Sequence, residues 1–430
     1  MKKLVLIGNG MAGVRTLEEL LKVANESFDI TVFGSEPYGN YNRIMLSPVL
    51  ADETGIDDIM INDIDWYKAN NIKLYTNRSI AQIDKIKRVV IDADGNSFNY
   101  DKLLIATGSK PFILPIEGNN LEGVIGFRDI ADVEQMIDTA KRYKNAVVIG
   151  GGLLGLEAAN GLIKKGMHTT VVHLSEDLMN MQLDSTASQM LLLSLRKKGM
   201  QFKLKAQTQR VIAGNSGRVE KIEFSDGSTI DTDLVVMAVG IRPNIELAQK
   251  SGIHCEKGIV VNDAMQAFES SVYAVGECAQ HRGNCYGLVA PLFEQAKVCA
   301  SNIAKCNTAL YEGSITSTKL KVTGVDLFSA GNFKGSDTSE DLVFQDASRG
   351  VYKKIVIDSG KIVGSVLYGD TVDGAWYFQL MKNGDNIEDI RDRLLFGQAY
   401  AGDPAHGSAH MTASMDDSAE ICGCNGVSKG

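Results

Sequence analysis

Two glycine-rich segments contain the residues with the clearest chemistry in this chain. GNGMAG at residues 8–13 follows the apolar run 4–7, and GGGLLG at 150–155 follows the apolar run 146–149. In this pattern the first glycine permits a strand-to-helix turn, the second lets backbone approach a pyrophosphate, and the third lets helix pack on strand. The phosphates then bind at the helix N-terminus, where free N–H groups and the dipole favour anions. Two such segments indicate two dinucleotides and a relay of electrons between them.

Composition limits what else the chain can be. It has 430 residues, 44% hydrophobic and 23% charged, which is typical of a globular protein of about three domains. The net charge of −9 argues against a surface for nucleic acid or anionic membranes. No apolar run reaches the roughly 18 residues that a membrane span requires. The 7 cysteines are too few for a disulfide scaffold, so we expect reduced thiols and a cytoplasmic protein.

Strands and helices alternate around both glycine segments. Residues 4–33 fit a strand, a helix and a strand, and residues 146–173 repeat that order. Further strands are predicted at 102–105, 202–212, 218–224, 233–240 and 271–277.

Two prolines and a change of pattern organise the rest of the chain. Pro243 is expected to stop a strand ladder, and Pro291 to open a helix from Leu292 to about Ala304. Residues 316–400 alternate short strands with a final helix, predicted at 319–323, 351–357, 361–367 and 371–381.

These pieces resemble the two-dinucleotide flavoproteins of the disulfide-reductase-like superfamily. The broad resemblance rests on both glycine segments, on the turn at 106–108 (ATG) and on the turn at 276–277 (GE). More narrowly, the chain is similar to the flavin-bearing N-terminal portion of NAD(P)H-dependent nitrite reductase large subunits. The segments that carry this second resemblance are YNRIMLSPVL at 41–50, YAVGECA at 273–279 and ICGCNGV at 421–427.

The resemblance implies an α/β fold with two Rossmann-like dinucleotide-binding domains, one for FAD and one for NAD(P), and a C-terminal α+β domain. In relatives the last domain often forms a dimer contact, so a homodimer stays open. The expected bounds are 1–113 and 243–312 for the FAD-binding domain, 114–242 for the NAD(P)H-binding domain, 313–400 for the α+β interface domain, 401–420 for a linker, and 421–430 for the start of a truncated bacterioferredoxin-like 2Fe–2S domain.

The resemblance assigns a set of residues to FAD. Glu36 would accept a hydrogen bond from the adenosine ribose, unless it is only a solvated turn charge. Arg43 would bond phosphate or ribityl oxygens through its forked guanidinium, the alternative being a surface arginine. Glu277 would bond the ribityl chain or a water, unless it only stabilises a helix N-terminus. The set expected on FAD is Gly8, Gly10, Gly13, Glu36, Arg43, Ser47, Ala81, Ala106, Thr107, Gly108, Arg128, Gly276 and Glu277.

The helix expected at Pro291 has a predicted role at the flavin. Reduced flavin carries negative charge, which a helix N-terminus stabilises without any side chain. Glu294 in the first turn either reaches the flavin edge or caps the helix.

The second glycine segment is expected to bind the nicotinamide nucleotide. Glu157 stands where related enzymes place a carboxylate close to the nicotinamide, although it is equally a good helix former. The strand end offers His173 instead of the carboxylate that selects NADH or the arginine that accommodates NADPH. Glu176 supplies a carboxylate from the next loop, which favours NADH and leaves NADPH open. The residues expected on this nucleotide are Gly150, Gly152, Gly155 and Glu157, and Gly240 is expected to bind one of the two cofactors.

The positions of the cysteines exclude a thiol relay. No cysteine precedes Cys255, so the chain lacks the flavin-side pair of disulfide reductases and the single flavin-side cysteine of NADH peroxidases. Ser47 and Pro48 stand in that region, so electrons are expected to leave the flavin for an external or downstream acceptor. Pro48 also departs from the lysine of rubredoxin- and ferredoxin-reductase relatives.

Cys422 and Cys424 match the first half of an iron–sulfur ligand set. A 2Fe–2S centre needs four thiolates, and the family supplies the others from a Cys-x-x-Cys pair roughly thirty residues later. That pair would lie beyond Gly430, so the cluster is incomplete here and we expect a fragment cut inside its cluster domain. Two idle thiols are the alternative.

The function implied by the resemblance is an FAD-dependent NAD(P)H oxidoreductase module. It would take hydride from NAD(P)H onto FAD and pass electrons to iron–sulfur and sirohaem centres, which reduce nitrite to ammonia. The sirohaem and a 4Fe–4S centre would belong to a downstream portion. The alternatives are a stand-alone NADH:rubredoxin or ferredoxin reductase and a non-catalytic redox sensor or scaffold. The expected partners are NAD(P)H and a downstream module or small electron-transfer protein, with neither nucleic acid nor membrane.

Overall fold

The chain begins with β1 (Lys2–Ile7), α1 (Met11–Ala24) and β2 (Phe28–Phe33), in the order that residues 4–33 predict. β1 pairs in parallel with β2, and its last four residues are buried, as expected for an internal strand of a parallel sheet. The computed structural model of the protein describes residues 1–24, 26–305, 309–322, 324–401, 420–422 and 427–428.

Short elements complete this first stretch. They are β3 (Asn40–Tyr41), α2 (Leu46–Leu50), β4 (Met60–Asn62), α3 (Ile64–Ala69), β5 (Lys73–Tyr75), β6 (Ile80–Asp84), β7 (Val89–Asp92), β8 (Ser97–Asn99), β9 (Lys102–Ile105) and β10 (Ser109–Pro111). β9 pairs with β1 in parallel, and the register sets Ile7 beside Ile105. The residues that follow these two strands, Gly8 and Ala106, are therefore neighbours.

The second stretch repeats this plan. Its elements are β11 (Val124–Ile125), α4 (Ile130–Arg142), β12 (Asn145–Ile149), α5 (Leu153–Lys164), β13 (His168–Val172), α6 (Ser185–Lys197), β14 (Gln201–Lys203), β15 (Thr208–Ala213), β16 (Val219–Phe224), β17 (Thr229–Asp231) and β18 (Leu234–Met237). A parallel sheet has the order β11-β18-β12-β13-β14, and β15, β16 and β17 form a separate antiparallel sheet. The strand predicted at 202–212 is therefore two strands in two different sheets.

The chain then returns to the first sheet. The elements here are β19 (Ile241–Pro243), α7 (Glu246–Lys250), β20 (Ile259–Val261), β21 (Val272–Ala274), β22 (Ala279–His281) and α8 (Val289–Ile303). β21 pairs with β9, which gives the first sheet the order β21-β9-β1-β2-β5. The first sheet is thus built from two parts of the chain, one before and one after the residues that form the second sheet.

One of the two expectations about prolines needs correction. Pro243 is the last residue of β19, so the ladder with β10 ends there as predicted, with Pro243 opposite Ser109. A proline fits there because a two-stranded ribbon leaves one side of each strand without a partner. The helix predicted from Leu292 begins earlier, at Val289, and Pro291 is tolerated because first-turn N–H groups have no partner within a helix.

The last stretch is an antiparallel sheet covered by a helix. It contains β23 (Ser317–Val322), β24 (Val325–Gly331), β25 (Glu340–Asp346), β26 (Val351–Asp358), β27 (Lys361–Tyr368), α9 (Gly374–Asn383) and α10 (Gln398–Ala401). The prediction missed β24 and β25. Tyr377 and Met381 of α9 pack into one core with Phe328 and Ile355 of the sheet. The other face meets α6, where the Tyr352 hydroxyl donates to Asp184 at 2.5 Å.

The C-terminal end of the described chain is a pair of short strands. β28 (Glu420–Cys422) and β29 (Val427–Ser428) pair antiparallel, and most of the linker predicted at 401–420 lies outside the described residues.

Among the helices of the described residues, none has the length and apolarity to cross a bilayer.

Candidate functional site

A cavity of about 400 Å³ opens at the carboxyl ends of β1 and β9. Ligands of open parallel sheets bind at this edge, and the volume falls within the roughly 300–1,000 Å³ of ordinary ligand sites. The predicted residues that line it are Gly8, Gly10, Glu36, Arg43, Ala106, Thr107, Gly108 and Arg128. Residues that the sequence analysis did not single out also line it, among them Asn9, Tyr38, Tyr41, Ser109, Asp132 and Asn244.

The glycines at 8–13 fill three different steric roles. Gly8 has φ +106°, and a Cβ there would overlap the carbonyl of Ala106 on the neighbouring strand. A Cβ at Gly13 would lie 2.9 Å from the Gly8 carbonyl oxygen, so this glycine lets α1 approach the loop. A Cβ at Gly10 would meet no protein atom within 4 Å. Gly8 and Gly13 therefore serve the fold, while Gly10 keeps the cavity free for a ligand.

The glycines at 150–155 repeat these roles one by one. Gly150 has φ +125°, and a Cβ there would overlap the carbonyl of Ala238, the residue after β18. A Cβ at Gly155 would overlap the Gly150 carbonyl, whereas one at Gly152 would meet nothing within 4 Å. Gly152 is the N-cap of α5 and has no side chain to cap it, so backbone N–H groups of that helix are free for an anion. Both segments fit a pyrophosphate.

A cluster of tyrosine, glutamate and arginine forms one side of the cavity. Arg43 and Glu36 form an ion pair, and the Tyr41 hydroxyl donates to the other Glu36 oxygen at 2.7 Å. The Arg43 guanidinium lies 4.9 Å from the centre of the Tyr41 ring and donates to the carbonyl of Arg128 at 3.1 Å. Glu36 thus stands at the end of β2, where a ribose carboxylate is expected, with its charge balanced by Arg43.

A second ion pair lies beside this cluster. Arg128 lines the cavity and pairs with Glu277, whose same oxygen accepts from the Ser109 hydroxyl at 2.9 Å. The Arg128 backbone N–H donates to Asp132 at 2.6 Å, and burial raises the pKa of that aspartate. Glu277 is not among the residues that line the cavity, and its carboxylate orients the Arg128 guanidinium. A contact of Glu277 with the ribityl chain stays a prediction.

Asn244 is a site residue that the sequence analysis missed. Its carbonyl accepts from the Thr107 hydroxyl at 2.7 Å, and its N–H donates to the Gly108 carbonyl at 2.9 Å. Gly108 has φ +66°, a left-handed conformation that suits glycine. The turn at 106–108 is thus held against the cavity by a residue for which the sequence analysis predicted no role.

Ser47 and Glu157 meet between the two glycine-bearing parts. The Ser47 hydroxyl at the start of α2 donates to a carboxylate oxygen of Glu157 on α5 at 2.7 Å. Burial raises the pKa of Glu157 to about 6, because the charged form is poorly solvated there. Neither residue lines the 400 Å³ cavity.

His173 at the end of β13 contacts the second glycine segment. Its Nδ1 accepts from the Gly151 N–H at 3.2 Å, and a Cβ on Gly151 would lie 2.8 Å from the imidazole Cγ. Burial lowers the pKa of His173, so the neutral ring that accepts this bond is favoured. Glu176 is exposed and pairs with Lys205 at 2.5 Å.

Four residues predicted to bind a cofactor do not line the cavity, and two of them are glycines with positive φ. Ala81 is exposed on β6 and is not a lining residue. Glu294 is exposed on α8, where it pairs with Lys382 at 3.9 Å and contacts Ser314. Gly240 has φ +112° and open space at its Cβ position. Gly276 has φ +85°, and a Cβ there would lie 3.0 Å from Ala12 of α1.

The thiols of the described residues do not line the cavity. Cys255, Cys278, Cys285 and Cys299 are free. The Cys278 thiol lies beside β9. It donates to the carbonyls of Val275 and Ile105 at 3.3 and 3.6 Å, and burial raises its pKa. The Cys422 thiol and the whole of Cys424 lie outside the described residues, which include no group of His, Cys, Asp and Glu able to hold a metal ion.

Two glycine segments of matching geometry on two parallel sheets define a protein that binds two dinucleotides. The chain belongs to the family described as pyridine nucleotide-disulphide oxidoreductase, which matches residues 2–313. Membership implies FAD and NAD(P)H as cofactors. The rubredoxin NAD+ reductase C-terminal domain matches residues 317–385. The expected α/β class with a C-terminal sheet domain is confirmed.

Several individual proteins are similar to this chain. Over its whole length the chain is 51% identical to "Nitrite reductase [NAD(P)H]" and 44% identical to "Assimilatory nitrate reductase electron transfer subunit", both from Bacillus subtilis. It covers 52% and 54% of those proteins, so it spans about half the length of the curated relatives. The crystal structure of NADH:rubredoxin oxidoreductase from Clostridium acetobutylicum is 27% identical, with a TM-score of 0.77 over 92% of this chain and 99% of that one. The resemblance to nitrite reductases is confirmed.

Proposed function

We propose that this chain is the electron-input module of an NAD(P)H-dependent nitrite reductase. FAD binds in the cavity at 8–13 and NAD(P)H binds at 150–155. Electrons then leave for iron–sulfur and sirohaem centres outside this chain, where nitrite is reduced to ammonia. We place the module in the cytoplasm and keep the predicted domain bounds, with FAD at the carboxyl edge of the first sheet.

One observation carries the proposal: Gly8, Gly10 and Gly13 have the same steric roles as Gly150, Gly152 and Gly155. In both segments the first and third glycines allow close backbone packing and the second faces open space at a helix N-terminus, which is the arrangement a pyrophosphate needs. The 51% identity to a protein named "Nitrite reductase [NAD(P)H]" supports the acceptor, and the lack of a thiol lining the cavity, among the described residues, supports transfer out of the chain.

The residues around the cavity fit the parts of FAD. The first pyrophosphate is expected on the backbone of 8–13, the adenosine ribose on Glu36, and phosphate or ribityl oxygens on Arg43 and Arg128. Both arginines are already oriented by carboxylates in the protein, so little side-chain entropy is lost when they bind an anion. When bound, FAD supplies the conversion of a two-electron hydride donor into a source of single electrons.

The experiment is an anaerobic titration of the purified, FAD-saturated chain with NADH and, separately, with NADPH. The flavin absorbance should fall with one equivalent of nucleotide and return when ferricyanide is added. A yellow protein that neither nucleotide bleaches would contradict the proposal and support a redox sensor. Turnover with rubredoxin as acceptor in the isolated chain would instead support a stand-alone reductase, for which the C. acetobutylicum structure is the precedent.

A further inference from the structure

A basic cavity of about 220 Å³ lies at the amino ends of β1, β9 and β21. Lys2 begins β1, Lys102 begins β9, and Ser271 precedes β21. This is the edge of the first sheet opposite the glycine loop, and the length of β1 separates the two edges by about 20 Å. The cavity is thus distinct from the cofactor site.

The charges around this cavity are unbalanced. Lys2, Arg88, Lys102 and Lys305 line it, and none of the four forms an ion pair with a described residue. The carboxylate that lines it, Asp101, accepts the backbone N–H of Lys3 at 2.7 Å. The whole chain has a net charge of −9, so a concave surface lined mainly by positive side chains is opposite in sign to the protein as a whole. Like charges held together are relieved most by a multivalent anion.

Neutral groups hold the Lys102 ammonium in place without compensating its charge. It donates to the Ser270 carbonyl at 3.2 Å and to the Tyr273 hydroxyl at 3.1 Å, and it lies 4.9 Å from the centre of the Tyr273 ring. Burial, and secondly the charge of Arg88, lower the pKa of Lys102. An anion beside the ammonium would offset the effects of burial and of Arg88, because it would stabilise the charged form of Lys102.

Ser271 adds a hydrogen-bond donor that has no partner among the described residues. The residue is 8% exposed, and its carbonyl accepts the Leu103 N–H at 2.8 Å, so its backbone is fixed within the sheet. Its hydroxyl forms no hydrogen bond with the rest of the described chain, yet the residue lines the cavity. The hydroxyl oxygen is not among the buried polar atoms, so it is accessible from the cavity and free to donate to a bound acceptor.

We propose that this cavity binds a small multivalent oxyanion, with the chemistry of a phosphate group. Its oxygens would accept from the Ser271 hydroxyl and the Lys102 ammonium, and Arg88 would bond two of them in a fork. A cavity of 220 Å³ holds one phosphate with its water, but it is smaller than the roughly 300 Å³ at which ordinary ligand sites begin. The ligand is therefore inorganic phosphate or the phosphoryl group of a small ester.

The test is calorimetric titration of the FAD-saturated chain with inorganic phosphate, in a buffer without other oxyanions. Saturable binding to one site is expected. Lys102→Gln should weaken it at least tenfold and Ser271→Ala about fivefold, whereas Lys141→Gln, an exposed lysine paired with Asp138 on α4, should leave it unchanged. Thermal unfolding of each variant checks that the fold is retained.

Two further arms identify the ligand. Nitrate at equal ionic strength should not compete, because it carries a single charge. Glycerol 3-phosphate distinguishes the sources: binding tighter than that of phosphate indicates an ester, and weaker binding indicates the free ion. The proposal is overturned if phosphate gives no saturable heat, or if Lys102→Gln and Lys141→Gln bind it equally. Neither result would touch the proposed FAD and NAD(P)H sites.

Discussion

The Ser47 hydroxyl donates to the Glu157 carboxylate at 2.7 Å and so joins α2 of the first glycine-bearing part to α5 of the second. The two helices come close because Gly161 leaves room for Leu50, whose Cγ would lie 2.5 Å from a Cβ at that position. A titratable group is therefore buried where the two nucleotide-binding parts meet.

Replacing Glu157 by glutamine should change how stability depends on pH. Burial raises the carboxyl pKa from 4.5 to about 6, so the carboxyl is protonated in both the folded and the unfolded state below pH 4.5. Above pH 6 the folded state holds a buried carboxylate, at a cost of about 2 kcal/mol. The free energy of unfolding of the native protein should thus fall relative to Glu157→Gln as pH rises between these values. Urea unfolding across this range measures it.

The matched variant for that experiment is Ser47→Ala. The Ser47 hydroxyl stabilises the Glu157 carboxylate, so its removal should raise the pKa further and move the pH window upward. If native protein and Glu157→Gln show parallel stability curves, the carboxyl does not titrate in this range.

Gly10→Ala and Gly152→Ala should separate the two cofactors. Neither Cβ would meet a protein atom within 4 Å, so both variants should retain their melting temperature without ligands. Gly10→Ala should weaken FAD binding at least tenfold, which is about 1.4 kcal/mol, because the methyl group enters the cavity. Gly152→Ala should retain FAD and lose NAD(P)H affinity by a similar factor. Flavin content and nucleotide titration give the two readouts, and loss of FAD from both variants would refute the assignment.

His173 should position the second glycine loop rather than bind ribose. His173→Leu removes the acceptor of the Gly151 N–H, which should weaken NAD(P)H binding by about 1 kcal/mol, roughly fivefold. His173→Asn offers a carbonyl oxygen near the place of Nδ1 and should restore most of the affinity. FAD content should be unchanged in both. Equal losses in the leucine and asparagine variants would show that the ring makes a contact of another kind.

Glu176 should set the preference for NADH. A carboxylate near the adenosine ribose repels a 2′-phosphate, and neutralising it would leave Lys205 without its partner and free to attract one. Glu176→Gln should therefore shift the ratio of NADPH to NADH affinity upward, by about tenfold, or 1.4 kcal/mol. Binding of adenosine 2′,5′-bisphosphate compared with AMP measures this without turnover. An unchanged ratio would place the selectivity elsewhere.

The glycine segments were predictable because their signal is local. Six residues after an apolar run determine the turn, the open face and the helix start, and the structure repeats this at 8–13 and at 150–155. Glu36 was predictable in the same way, because it lies 23 positions after Gly13 (36 − 13), close to the usual distance of a ribose carboxylate from such a segment.

Long-range contacts were not predictable from spacing. Asn244 holds Thr107 across 137 positions, and Ser47 meets Glu157 across 110, so neither pair leaves a pattern in a single sequence. The start of α8 was misplaced because Pro291 is compatible with any position in a first turn. β25 was missed because it is a largely exposed edge strand, which has no apolar alternation to detect.

The position of β21 has a consequence for synthesis. The first sheet needs Val272–Ala274 beside β9, although its central strand begins at Lys2. On the ribosome the first sheet must wait for an edge strand that emerges some 270 residues after β1, whereas the unit from β11 to β18 is continuous and can fold as soon as it is exposed. We therefore expect the second sheet to form first, and under the proposed assignment of the cofactors flavin would be loaded only after β21 has been synthesised.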